Sequence, residues 1–140
     1  MRYIVREVAS SREFKQFYQF QNRLYKDCAT YVPSLDFDQK HTLSKSPCLD
    51  YCRQKLLLCF NEEGQVVGRC CAIINPRYNE LYGTRRMRFG WTDFIEDFTH
   101  QILHALPGFR VAEVFVRILR IPFGEAVGDV LFEAEGRQAV

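Results

Sequence analysis

The chain has 140 residues, 47% hydrophobic and 26% charged, which fits one ordinary soluble domain able to bury a core without a disulfide or metal staple. Its net charge of +2 is too small to argue for nucleic acid or an acidic membrane. Only Arg85, Arg86 and Arg88 approach a basic stripe, so neither nucleic acid nor a membrane is expected as a partner. No apolar run approaches the ~20 residues that span a bilayer, and Met1-Arg2-Tyr3-Ile4 opens straight into an alternating pattern instead of a secretory signal, so a cytoplasmic location is expected.

Residues 3–8 alternate as a strand does. A helix follows from Ser10 or Ser11, and Ser10-x-x-Glu13 has the form of a capping box, in which each side chain satisfies the other residue's backbone N–H. Phe14, Phe17, Tyr18, Leu24 and Tyr25 recur at helical spacing and leave Lys15, Gln16, Gln19 and Arg23 outward. That stripe predicts a helix laid on a sheet. From 26 to 54 the pattern weakens into a loop-rich cover. Tyr31-Val32-Pro33-Ser34-Leu35 is extended because a residue before proline avoids the helical region. A short helix is predicted over 36–43 and another start at Ser46-Pro47.

Three apolar runs then form a meander: 56–60, 66–74 and 87–95. A tight turn, Asn61-Glu62-Glu63-Gly64, joins the first two, and a polar loop over 75–85 joins the second to the third. Gly68 and Gly90, each inside a run, point to a bulge or a close backbone approach. The loop containing Tyr78 is long for a hairpin and reads as either a recognition loop or an ordinary surface hairpin.

After Phe98 the composition changes, and Lys, Tyr, Asn and Cys are absent from 99 to 140. A helix over 101–106 stopped by Pro107-Gly108, an ambiguous apolar run over 111–119, and a weak strand or tail beyond Gly124 are expected. This divides the chain into an organised unit, 1–98, and a divergent segment, 99–140.

Six cysteines raise the question of metal or disulfides. Cys48 and Cys52 lack a second pair at ligand spacing, and Cys59 and Cys70 sit in apolar runs, so structural thiols, no metal and a reducing compartment are expected. His100 and His104 share a helical spacing but show no third ligand. No nucleophile elbow, phosphate loop or HExxH pattern occurs.

Three phrases in order carry a resemblance: Asn22-Arg23-Leu24-Tyr25-Lys26-Asp27 with Tyr31-Val32-Pro33-Ser34-Leu35; Gly68-Arg69 with Ala72-Ile73-Ile74-Asn75 and Tyr78-Asn79-Glu80; and Arg88-Phe89-Gly90-Trp91 with Asp93-Phe94-Ile95-Glu96-Asp97. With the strand, helix, cover and meander, residues 2–98 resemble the N-terminal half of uncharacterised bacterial GNAT-like proteins of the acyl-CoA N-acyltransferase superfamily. The resemblance implies an α+β fold with a mixed, largely antiparallel sheet and helices packed on it. It also implies acetyl-CoA or another acyl-CoA as cofactor, and a small-molecule amine as acceptor.

By the same resemblance, backbone groups of Trp91, Thr92, Asp93, Phe94 and Ile95 would lie beside the thioester. Asp93 or Glu96 would act as base, and Tyr31 and Tyr78 would contact the acceptor. The alternative for both acids is a solvated strand end. Most such enzymes follow this strand with Gln/Arg-x-x-Gly-x-Gly/Ala, whose N–H groups hold pyrophosphate; here 93–100 contain no glycine and carry acids that repel phosphate. Two readings stay open: an acyl-CoA-dependent N-acyltransferase, and a catalytically silent GNAT-like module that binds a ligand or another chain. An incomplete sheet would leave an edge for a second copy and hence a homodimer. The segment from about Thr99 reads as a truncated, frameshifted or diverged second half, which translating the gene in the other frames would test.

Overall fold

The computed structural model describes residues 4–96 and 129–131. The elements are β1 (Ile4–Glu7), α1 (Ser11–Leu24), α2 (Asp36–Lys45), a 3-10 turn (Pro47–Asp50), β2 (Arg53–Phe60), β3 (Val66–Ile74), α3 (Pro76–Tyr82), β4 (Arg86–Phe94) and β5 (Asp129–Leu131). They build one sheet in the order β1-β2-β3-β4-β5, antiparallel from β1 to β4, with β5 parallel to β4. The meander is therefore the spine, as the three apolar runs predict. The helix expected over 101–106, the ambiguous run over 111–119, and His100 and His104 lie outside the described residues.

The start of α1 departs from the capping box in one detail. Ser10 Oγ accepts from the Glu13 N–H at 3.2 Å as expected, but Glu13 reaches past Ser10 to the Ala9 N–H at 2.9 Å and also pairs with Arg6. Arg6 comes from β1, so one carboxylate ties the first strand to the helix start. The apolar stripe also needs correcting. Phe17 and Phe20 are the helix residues that bury fully, and Phe14, Tyr18 and Leu24 flank them. These rings meet Leu43 of α2 and, from the sheet, Leu58, Phe60, Val66 and Cys71. The opposite face of the sheet carries Leu57, Cys59, Cys70, Ala72, Ile74, Met87 and Phe89, also buried, so both faces of the strands are apolar.

The stretch 75–85 is not a loop. It forms α3, capped by Asn75, whose side chain accepts from the Tyr78 N–H, and closed by Gly83 at φ 62°. Asn-Pro at the start and Gly at the end are ordinary helix boundary signals. The shortness of the helix, seven residues, hid them. Asn79 then receives the Arg86 N–H at 3.0 Å and donates to the Arg86 carbonyl at 3.0 Å, which fixes the turn into β4. Arg88 is exposed on β4, whereas Arg86 is half-buried and reaches the Tyr78 hydroxyl at 3.4 Å.

Both interior glycines mark irregularities. At Gly68 the β2–β3 register is about to shift, and an added Cβ would lie 2.2 Å from the Phe94 ring. Gly90 precedes a bulge in β4. Asp93 pairs with Arg69 and Gly90 with Cys71, so Trp91 and Thr92 together stand opposite Cys70. Trp91 sits at φ 55°, rare for a bulky non-glycine residue.

Candidate functional site

The bulge decides which residues face α1. Before it, Arg88 and Gly90 pair with Ile73 and Cys71 of the α1-facing side, and Met87 and Phe89 point the other way. One extra residue reverses the alternation. Beyond it Trp91, Asp93 and Ile95 turn toward α1, with Trp91 and Ile95 packed on the helix-facing core. Without the bulge, Asp93 would face away from the helix.

Asp93 meets Arg69 there. Arg69 is 1% exposed, and its Nε and Nη2 lie 2.8 and 2.7 Å from Asp93 Oδ2. Its Nη1 donates to the Phe17 carbonyl of α1 at 2.8 Å. The guanidinium lies 5.4 Å from the Phe17 ring centre and 5.5 Å from that of Trp91. The expectation of a solvated strand end therefore fails for Asp93, whose side chain is 12% exposed and ion-paired. It holds for Glu96 in exposure, and Glu96 has interactions of its own. The acidic phrase after the strand is also less repulsive to phosphate than its letters imply, because one of its charges is matched by a buried arginine.

Tyr25 and Tyr31 complete this corner. The Tyr31 hydroxyl donates to Asn22 Oδ1 at 2.6 Å, and Asn22 also bonds the Ser34 N–H and carbonyl, which pins the extended segment to α1. Tyr25, just past the end of α1, stacks on Tyr31 with ring centres 5.3 Å apart. Burial pushes the Tyr25 phenol's pKa up. The nearby Asp93 carboxylate and Tyr31 push it further, and Arg69 partly offsets them, so Tyr25 stays a protonated donor.

The fold thus brings together Tyr31, Trp91 and Asp93 of the expected set. Thr92 is exposed on the bulge, its hydroxyl 3.3 Å from the Gly90 carbonyl, and Phe94 covers Gly68 on the other face. Strand pairing continues to Ile95, whose N–H donates to the Val67 carbonyl at 3.0 Å. Tyr78 is not brought in. It stacks with Tyr82 on α3, beyond the far end of β3, about 16 Å along the strand from Arg69 at ~3.3 Å per residue. Two participants escaped the sequence reading. Tyr25 was counted as core stripe. Arg69 had a visible signal, as the only charged residue within the nine-residue run of β3.

Among the described residues no group of three metal-ligating side chains occurs, and the six cysteines are free. Burial pushes the thiols of Cys59, Cys70 and Cys71 up to about 12. No helix among the described residues is long and apolar enough to cross a membrane.

No family model matches the chain. Protein YghO of Escherichia coli (strain K12) is 30% identical over 115 residues, which is 81% of this chain and 28% of that protein, so the chain spans little more than a quarter of this relative's length. The crystal structure of glucosamine-6-phosphate N-acetyltransferase from Arabidopsis thaliana superposes with a TM-score of 0.55 at 10% identity, over 95% of this chain and 82% of that one. At that identity the likeness concerns architecture alone. The chain has a GNAT-like α+β fold, with helices packed on a sheet whose β1–β4 are antiparallel.

Proposed function

We propose that this chain is a GNAT-like N-acyltransferase domain that holds an acyl-CoA, such as acetyl-CoA, along the second half of β4 and acylates a small-molecule amine. The observation that carries this reading is the bulge at Trp91 combined with the strand order. On one side β4 pairs with β3 through Phe94, and the Ile95 N–H still bonds the Val67 carbonyl. On the other, among the described residues, β5 pairs only with Arg86, Met87 and Arg88. We take the stretch of β4 beyond Arg88, beside the carboxylate and aromatic side chains that face α1, as the place for the ligand.

The cofactor would supply an acyl group activated as a thioester. Backbone groups of Trp91, Thr92, Asp93, Phe94 and Ile95 are proposed to line the acyl end, and its carbonyl oxygen and pantetheine amides would take those N–H groups that β3 does not use; the Ile95 N–H is used, by the Val67 carbonyl. Tyr25 and Tyr31 would orient the amine from the α1 side. Asp93, through Oδ1, or the exposed Glu96 would take up the proton that the amine releases. Tyr78 is proposed as a contact only for an acceptor long enough to reach α3. The residues fit the acyl end of such a cofactor better than its pyrophosphate, because no glycine follows β4 before residue 100. That same absence favours the second reading, a catalytically silent module of this fold.

Six free cysteines fit a reducing, cytoplasmic location. The outer strand β1, with Ile4 53% exposed, is a proposed edge for a homodimer. Thermal unfolding during titration with acetyl-CoA tests the main reading. A ligand bound only by the folded state adds about 2.7 kcal/mol at about a hundredfold excess over Kd. A saturable rise that adenosine diphosphate reproduces only in part is expected and would justify an amine screen. A flat response at millimolar acetyl-CoA would instead support the silent module.

A further inference from the structure

Arg69 is the buried charged side chain among the described residues, and its placement is costly. Desolvating a guanidinium and a carboxylate is not reliably repaid by their attraction, and apolar residues of similar shape commonly serve stability as well. The pair sits where three elements meet: Arg69 on β3, Asp93 on the bulged half of β4, and the Phe17 carbonyl on α1. Both contacts to Asp93 end on Oδ2, and Oδ1 takes no hydrogen bond from a described residue. The ion pair also requires the bulge. Only the reversed alternation turns Asp93 toward Arg69, and Trp91, at φ 55°, lies against the same guanidinium.

We infer that Arg69 is a positioning residue. Its planar fork ties the bulged half of β4 to α1, sets Trp91 against the helix, and leaves Asp93 Oδ1 outside the ion pair. Its role in turnover rests on the acyl-transfer reading, whereas the tie itself does not. Lysine cannot substitute, because a single ammonium cannot hold Asp93 and the Phe17 carbonyl in one fixed plane.

Trp91 is the sole tryptophan, so its fluorescence reports on the bulge directly. The test compares acrylamide quenching of the full chain with that of Arg69→Lys and of the apolar double variant R69M/D93L, after cooperative unfolding has shown which variants fold. A folded variant whose Trp91 quenches more steeply than wild type supports the proposal. Wild-type quenching in a folded variant overturns it. If neither variant folds, the pair serves the fold alone and the proposal also falls. Where an acceptor is in hand, Arg69→Lys should lose about 10²-fold in kcat, the order expected for a small misplacement, with KM little changed. If wild type ignores acyl-CoA, the acyl-transfer reading fails while the quenching comparison still decides the role of Arg69.

Discussion

Gly68 and Phe94 face each other across β3 and β4, and the ring occupies the space that a Cβ would need, with contacts at 2.2 and 2.7 Å. Gly68→Ala must therefore move Phe94 or the strand behind it. A loss of about 1–3 kcal/mol is expected from such overpacking, read as a lower midpoint in urea unfolding with an unchanged slope. The thiols give a second prediction at this scale. Cys59, Cys70 and Cys71 are buried with pKa pushed up to about 12 from an ordinary 9.0, so the folded chain keeps protons that the unfolded chain releases. Stability is then full below pH 9 and falls as pH rises toward 12, by about 1.4 kcal/mol per pH unit for each thiol. Unfolding followed from pH 8 to 11 should show this loss, and Cys→Ala at these sites should flatten it. Cys28 is exposed, and its pKa is lowered mainly by the Thr30 side chain and backbone, so it should label first with a thiol reagent in the native state.

At the scale of elements, α1 shows what a sequence pattern conveys and what it leaves out. Ser10 at the N-cap was legible, and Ser10→Ala should cost about 1 kcal/mol. The Arg6 partner of Glu13 was not legible, because it depends on β1 lying beside the helix start. The Glu13 pKa is lowered chiefly by the Arg6 hydrogen bond and then by the Ala9 N–H, so this contribution is present above the ordinary carboxylate pKa of 4.5 and is lost as pH falls through the lower folded value. Acid unfolding of Ser10→Ala and Glu13→Gln separates the two: only the second should reduce the pH dependence of stability below 4.5. The helix α3 is hard to read from the sequence because its seven residues are too few to show a period, even with Tyr78, Leu81 and Tyr82 at helical spacing, and its caps define it. The bulge in β4 is a third kind of feature. Gly90 signalled an irregularity, but the direction in which Asp93 turns is set by register against β3, which no single strand's letters contain.

For the molecule as a whole, the order strand, helix, cover, meander was readable because each piece has its own period and its own boundary residues. The corner where function is proposed draws Tyr25 and Tyr31 from the segment that follows α1, Arg69 from mid-β3, and Trp91 and Asp93 from the bulged half of β4. Those residues are up to 68 positions apart (Asp93 minus Tyr25), and only the packing of α1 on the sheet makes them neighbours. Asp93 was singled out by its letter and its place after the strand, while its buried partner was not. In the acyl-transfer reading proposed above, an acyl-CoA lies against the backbone of β4 beyond its bulge. Backbone amide resonances recorded on the isotope-labelled chain during an acetyl-CoA titration test it most directly. Saturable shifts centred on residues 91–95, with Tyr78 and the rest of α3 unmoved, are the predicted result. No saturable shift at millimolar acetyl-CoA, or shifts centred away from β4, would contradict it.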